Sequence, residues 1–313
     1  MTGYGRQMAG RLTGARLLIG SLGRDMDREY AWLRYCAPHF VPDTDGFIVQ
    51  GIWDRWPPVS PAIRQAEYLL ELLEIEPGQH LLDIGSGLGG FAEICLERVP
   101  ALGSYTGVDI NPEHVAAARR RNAGRDRAAF ELVADGGLRA AVGDRAPEGG
   151  FDRIVLNEVS QDLQAADFAA LLESCCDLLA DDGRIVLIAL SIERPPENLR
   201  ERLVGEMVVR SGAPARADIR RALEGRGLAV EETDLTAICS RALAQRAVED
   251  PHVVAGLVPW PLSTVLRRVV GAGVAMSDRG AYAATAIVAR APVSPERRRF
   301  QRAPAAREAA EPR

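Results

Sequence analysis

Residues 81–92 read LLDIGSGLGGFA. An apolar run carries one acid, Asp83, and breaks into Gly85, Gly87 and Gly89 at alternating positions. A short apolar segment stopped by glycines predicts a buried strand running into a tight turn and then a helix. Upstream, residues 61–74 place apolar side chains at 62, 63, 66, 69, 70, 72 and 73. That spacing predicts a helix with Pro61 near its start. Downstream the alternation continues: helix 89–99, strand 104–110, and a helix opened by Asn111 as N-cap and Pro112 as first helical residue. Strands follow at 129–135 and 151–159, then a helix at 168–180, a DDG turn and a strand at 183–191. Residues 217–235 read as helix, glycine stop and strand, residues 237–277 as a helical insertion, and 282–292 as a terminal strand. Helices alternating with mostly apolar strands imply a parallel sheet covered on both faces, an α/β fold.

The flanks differ. Nine of the 17 aromatic residues lie in the first 70 positions, from Tyr4 to Tyr68. This crowding reads equally as a core between helices or as a cap over an apolar ligand. Residues 1–60 are therefore expected to form a helical cap, 61–292 the α/β domain with lid insertions at 192–215 and 237–277, and 293–313 a polar, disordered tail.

Composition narrows the function. The 313 residues are 47% hydrophobic and 26% charged, with a net charge of −5. No protein-wide basic field exists to hold nucleic acid or an anionic membrane. No run of 18 apolar residues is present, so no membrane span is expected. The five cysteines show no CxxC pattern and the four histidines are scattered. No metal site is expected, and a reducing, cytoplasmic location is.

Three acids fall at successive strand ends. Asp83 precedes the glycines, Asp109 closes the second strand and Asp135, followed by Gly136, closes the third. Ligands of parallel α/β sheets bind beyond the C-terminal strand ends, where glycine lets a ligand approach the backbone. A carboxylate at the second strand end accepts from ribose hydroxyls, and one at the third can accept from an adenine amino group. These features suit a nucleoside but leave its identity open. The GxGxxG pattern of a dinucleotide site is also satisfied, by Gly85, Gly87 and Gly90.

HLLDIGSGLGGFA, YTGVDINPEHVAAAR, LVADGG and FDRIVLNEVSQDL, in this order and spacing, resemble the successive motifs of class I S-adenosylmethionine (SAM)-dependent methyltransferases. GIWD at 51–54, some 30 residues ahead of LLDIGSG, resembles the small-molecule branch of ubiquinone/menaquinone-type and natural-product enzymes. The resemblance covers about residues 48–292. It implies a Rossmann-like, seven-stranded, mostly parallel sheet whose last strand, GAYAATAIVARAP, inserts antiparallel. It implies SAM as cofactor, with Asp83, Gly85, Ser86, Gly87 and Gly89 around its methionine part. Asp109 would hold the ribose, Ile110 the adenine face and Asp135 with Gly136 the adenine amino group. Asn157 would face the ammonium through its backbone carbonyl. The acids at three strand ends and the antiparallel last strand weigh for SAM against NAD.

The sulfonium already activates the methyl group, so an oxygen acceptor needs alignment, exclusion of water and a base. Several relatives carry a His soon after the fourth strand. Here Ser160, Gln161 and Asp162 follow Val159 instead. Asp162 and His39 are the candidate bases. The expected reaction is O-methylation of a small, partly apolar metabolite in secondary-metabolite biosynthesis, with no nucleic-acid or membrane partner and a homodimer left open. The missing His keeps a second reading alive: a SAM-fold protein that cyclises or rearranges an apolar intermediate without methylating it.

Overall fold

The computed structural model describes residues 61–134, 137–199, 201–202, 213–244 and 258–292, together with Thr13 and Arg16. The expected cap, the tail, His39, Asp135 and Gly136 lie outside the described residues, as do parts of both lid insertions.

The first helix, α1 (Pro61–Leu73), buries Ala62, Ala66, Leu69 and Leu73, spaced by four, three and four residues along one stripe. The chain then alternates through β1 (His80–Ile84), α2 (Gly90–Arg98), β2 (Ser104–Asp109), α3 (Pro112–Arg121), β3 (Ala128–Leu132), α4 (Gly137–Val142), β4 (Phe151–Asn157), α5 (Ala165–Leu178), β5 (Leu179–Ile192), α6 (Arg216–Gly225) and β6 (Ala229–Asp234). Two helices, α7 (Thr236–Ala244) and α8 (Leu262–Asp278), precede β7 (Tyr282–Arg290).

The seven strands order as β3-β2-β1-β4-β5-β7-β6. β1 to β5 run parallel, and β7 pairs antiparallel with both β5 and β6. Strand side chains alternate between two cores. Leu81, Val155 and Val186 pack with α1 and α2 residues such as Leu69 and Phe91. Leu82, Ile154 and Ile185 pack with α5 and α6 residues such as Phe168 and Leu223. That period of two on both faces is what a sheet buried on both sides requires.

The strand order reverses between β1 and β4: the chain moves from β1 outward to β3, then returns to the other side of β1. Ligand crevices of such sheets open at this switch, beyond the strand C-termini. β6 runs parallel to β1 and β7 returns antiparallel, so α7 and α8 between them stand at that same edge.

The DDG segment departs from the sequence expectation. It lies within β5, where Phe151 pairs with Leu179 but Arg153 pairs with Arg184. Residues 180–183 bulge out of the ladder, with Asp182 at φ 63°, so turn and strand coexist there. β3 ends at Leu132, three residues short of the expected end.

Candidate active site

The glycine turn leaves β1 by hanging on β2: the Gly85 and Ser86 amides donate to the Val108 carbonyl at 2.8 and 2.9 Å. Gly85 (φ 73°) must be glycine twice over. Its backbone is left-handed, and a Cβ would sit 2.8 Å from Val159 Cγ2 in the turn after β4. The two turns that flank the switch point are thus in contact.

Asp109 ties the site together. Its Oδ2 accepts from the Gly87 amide at 2.9 Å and its Oδ1 from the Asn111 amide at 2.8 Å. Asn111 then caps α3, its Oδ1 accepting from the Glu113 and His114 amides. Each Asp109 oxygen keeps further acceptor capacity for a hydroxyl donor.

Asp83 is buried, and the Tyr105 hydroxyl donates to its Oδ2. Burial pushes the Asp83 carboxyl up to about 7; the Tyr105 hydrogen bond opposes this and the Asp109 charge adds to it. Ser86 Oγ is buried with no hydrogen-bond partner among the described residues, and it lines the cleft.

The cleft has a volume of about 380 Å³ and opens at the switch point. Asp83, Gly85, Ser86, Gly87, Asp109, Ile110, Asn157 and Asp162 all line it, so eight of the residues expected from sequence come together in one space. Ile110 is 50% exposed, an apolar platform of the kind an aromatic base rests on. Gly89 does not line the cleft. A Cβ there would meet Asn122 Nδ2 at 2.7 Å and the Ala118 Cα at 3.0 Å, and its carbonyl accepts from Asn122 Nδ2. The third glycine lets α2 approach α3 rather than admit a ligand.

Several lining residues carried no signal in sequence. Leu138 on α4 and Leu163 and Leu171 around α5 give the cleft an apolar wall. Asp167 and Glu158 add carboxylates, although Glu158 directly follows the expected Asn157. Five carboxylates line the cleft, and no Lys, Arg or His does among the described residues. A dinucleotide diphosphate would meet repulsion here, whereas a nucleoside that carries positive charge would be stabilised. Among the described residues no group of His, Cys, Asp and Glu could hold a metal ion, and no helix is long and apolar enough to cross a membrane.

Residues 82–185 match the model of a methyltransferase domain family. The chain is 33% identical over 144 residues to nocamycin O-methyltransferase of Saccharothrix syringae, covering 46% of this chain and 48% of that one. It is 36% identical over 132 residues to ribosomal protein L11 methyltransferase of Ralstonia pickettii, covering 42% and 39%. The chain therefore spans half or less of the length of these curated relatives. Geranyl diphosphate C-methyltransferase of Streptomyces coelicolor A3(2), solved with Mg2+, geranyl diphosphate and S-adenosyl-L-homocysteine, shares the fold. Its TM-score is 0.56 at 18% identity, over 74% of this chain and 77% of that one. The strand order, the switch-point cleft and the matched segment agree: residues 82–185 match a methyltransferase domain, and the chain has the seven-stranded Rossmann-like fold that solved methyltransferases share.

Proposed function

We propose that the chain is a SAM-dependent methyltransferase acting on a small, partly apolar metabolite, with oxygen as the methyl acceptor. The observation that carries this reading is the cleft itself. A glycine turn, a ribose-type acid at Asp109 and an apolar platform at Ile110 lie in one space whose charged lining, among the described residues, is acidic. That combination fits a cationic nucleoside. When bound, SAM supplies a methyl group already activated by its sulfonium.

The chain's own residues supply the rest. Asp109 and the Ser86 hydroxyl, which has no hydrogen-bond partner among the described residues, would meet the polar groups of the nucleoside and amino-acid portions. The acidic lining favours the cation over neutral analogues. Asp162, on the short turn after β4 and in the cleft wall, is placed to accept the proton that an acceptor hydroxyl loses as its oxygen attacks. Helices α7 and α8 stand at the cleft's edge of the sheet, where they can exclude water. The apolar wall of Leu138, Leu163 and Leu171 and the small size of the cleft suit a small organic ligand better than a polypeptide.

The test is a pair of calorimetric titrations, one with SAM and one with NAD. Saturable heat at one site per chain with SAM alone is the expected outcome. Saturable heat with NAD and none with SAM overturns the reading.

A further inference from the structure

Successive side chains of a strand point to opposite faces, so Asn157 and the residue after it should diverge. One side chain nonetheless holds both. Gln65, in the middle of α1 and 2% exposed, donates through Nε2 to Asn157 Oδ1 at 2.5 Å and to Glu158 Oε1 at 2.6 Å. The backbone explains the convergence. Glu158 leaves β4 at φ 56°, in the left-handed region that non-glycine residues rarely adopt. The strained turn is pinned at three further points. The Glu158 amide donates to the Ile188 carbonyl at 2.9 Å, the Glu158 carbonyl accepts from Gln161 Nε2, and Val159 packs on Gly85. Strain kept in place by this many contacts, at the wall of a cleft, points to a use for the conformation.

Gln65 sits on a helix that is fixed at its C-terminal end. The last carbonyls of α1, on Leu72 and Leu73, accept from Arg184 and Arg153 on the central strands. Glu74, just beyond, takes both arginines, on its carbonyl and its carboxylate. The helix therefore cannot slide, and its amide group is presented to the end of β4 at fixed height. Gln65 lies outside the cleft lining, whereas Asn157 and Glu158 are in it.

We propose that Gln65 is a positioning residue: it turns Glu158 so that this carboxylate is the anionic acceptor for the ammonium of SAM's methionine portion, beside the Asn157 backbone. This rests on the reading that the cleft takes SAM. Gln65 carries no charge, so it can orient a carboxylate without neutralising it, which an Arg or Lys at the same place would not do.

Gln65→Leu keeps the volume and removes the amide. The expected result is a SAM dissociation constant raised about tenfold by calorimetry, with kcat at saturating SAM changed by less than about threefold. In the SAM-free protein, the Glu158 amide should exchange its hydrogen faster in the variant. In a Glu158→Ala background the same substitution should add less than about twofold, because it acts through Glu158. Gln65→Met covers the case in which Gln65→Leu fails to fold: it keeps the unbranched shape, removes the amide donor and should raise the SAM dissociation constant to a similar extent. Unchanged SAM affinity in Gln65→Leu, or losses at 65 and 158 that multiply independently, overturns the proposal. Absence of SAM binding by the wild-type chain overturns the cleft reading itself, and is distinguished from failure at Gln65 because the variant is not needed to see it.

Discussion

Asp83 and Asp109 share one cleft but are held in different ways. The folded-state carboxyl of Asp83 is raised to about 7 by burial, against an ordinary value near 3.9 in the unfolded chain. The native state thus binds the proton more tightly than the unfolded state between these values. Stability falls as pH rises through that window, and the whole penalty is present above it. From pH 5.5 to pH 8 this group alone should cost about 2 kcal/mol. Urea unfolding at the two pH values should show that difference in the wild type, and Asp83→Asn should remove most of it. Asp109 instead accepts two backbone amides at the head of a helix. Asp109→Ala should weaken SAM binding by roughly 1.5–3 kcal/mol, the value of a lost charge-assisted pair and unpaired hydroxyls. Calorimetry reads this directly, and wild-type affinity in the variant would refute the assignment. Asp109 was legible from sequence because it closes a strand at ligand-binding spacing. Gln65 was not: it sits 92 residues from Asn157 inside an amphipathic helix, and no local pattern separates a positioning amide from an incidental polar residue.

At the scale of elements, α1 is more than a cover for the sheet. Arg153 and Arg184 are buried in the central strands, an unusual place for guanidinium groups unless every donor is used. Arg153 Nε donates to the Leu73 carbonyl at 2.5 Å and its Nη2 to the Glu74 carbonyl at 2.8 Å, and Arg184 reaches Leu72 and the Glu74 carboxylate. Burial, with the neighbouring Arg184 charge, lowers the Arg153 pKa. These bonds satisfy carbonyls that a helix C-terminus leaves open, and place positive charge at the negative end of its dipole. Arg153→Met should therefore lower stability by about 2–4 kcal/mol in chemical denaturation. The helix itself, the glycine turn and the Asn111 cap were all readable from periodicity and cap chemistry. The reach of two strand arginines to that helix was not, since it depends on strands that pack together only in three dimensions. The bulge at residues 180–183 was hidden for a related reason: DDG is turn chemistry, and only the pairing with β4 reveals that the ladder resumes on both sides of it.

At the scale of the molecule, seven strands in the order β3-β2-β1-β4-β5-β7-β6 place every described ligand-type residue at one edge. Alternation of helices and apolar strands made the α/β class and the parallel sheet plain. The antiparallel last strand followed from the resemblance of its motif rather than from any local signal. The site was legible as a set of strand ends, but its apolar wall on α4 and α5 was not, because Leu138, Leu163 and Leu171 look like ordinary core positions in sequence. Their joint effect, among the described residues, is a small, largely apolar, acid-rimmed cleft, a shape that suits a small organic ligand. The most direct test incubates the full chain with methyl-labelled SAM and an extract of its source cells, then separates the products. Label in an organic-extractable small molecule is the predicted result, whereas label confined to protein or nucleic acid would contradict the account.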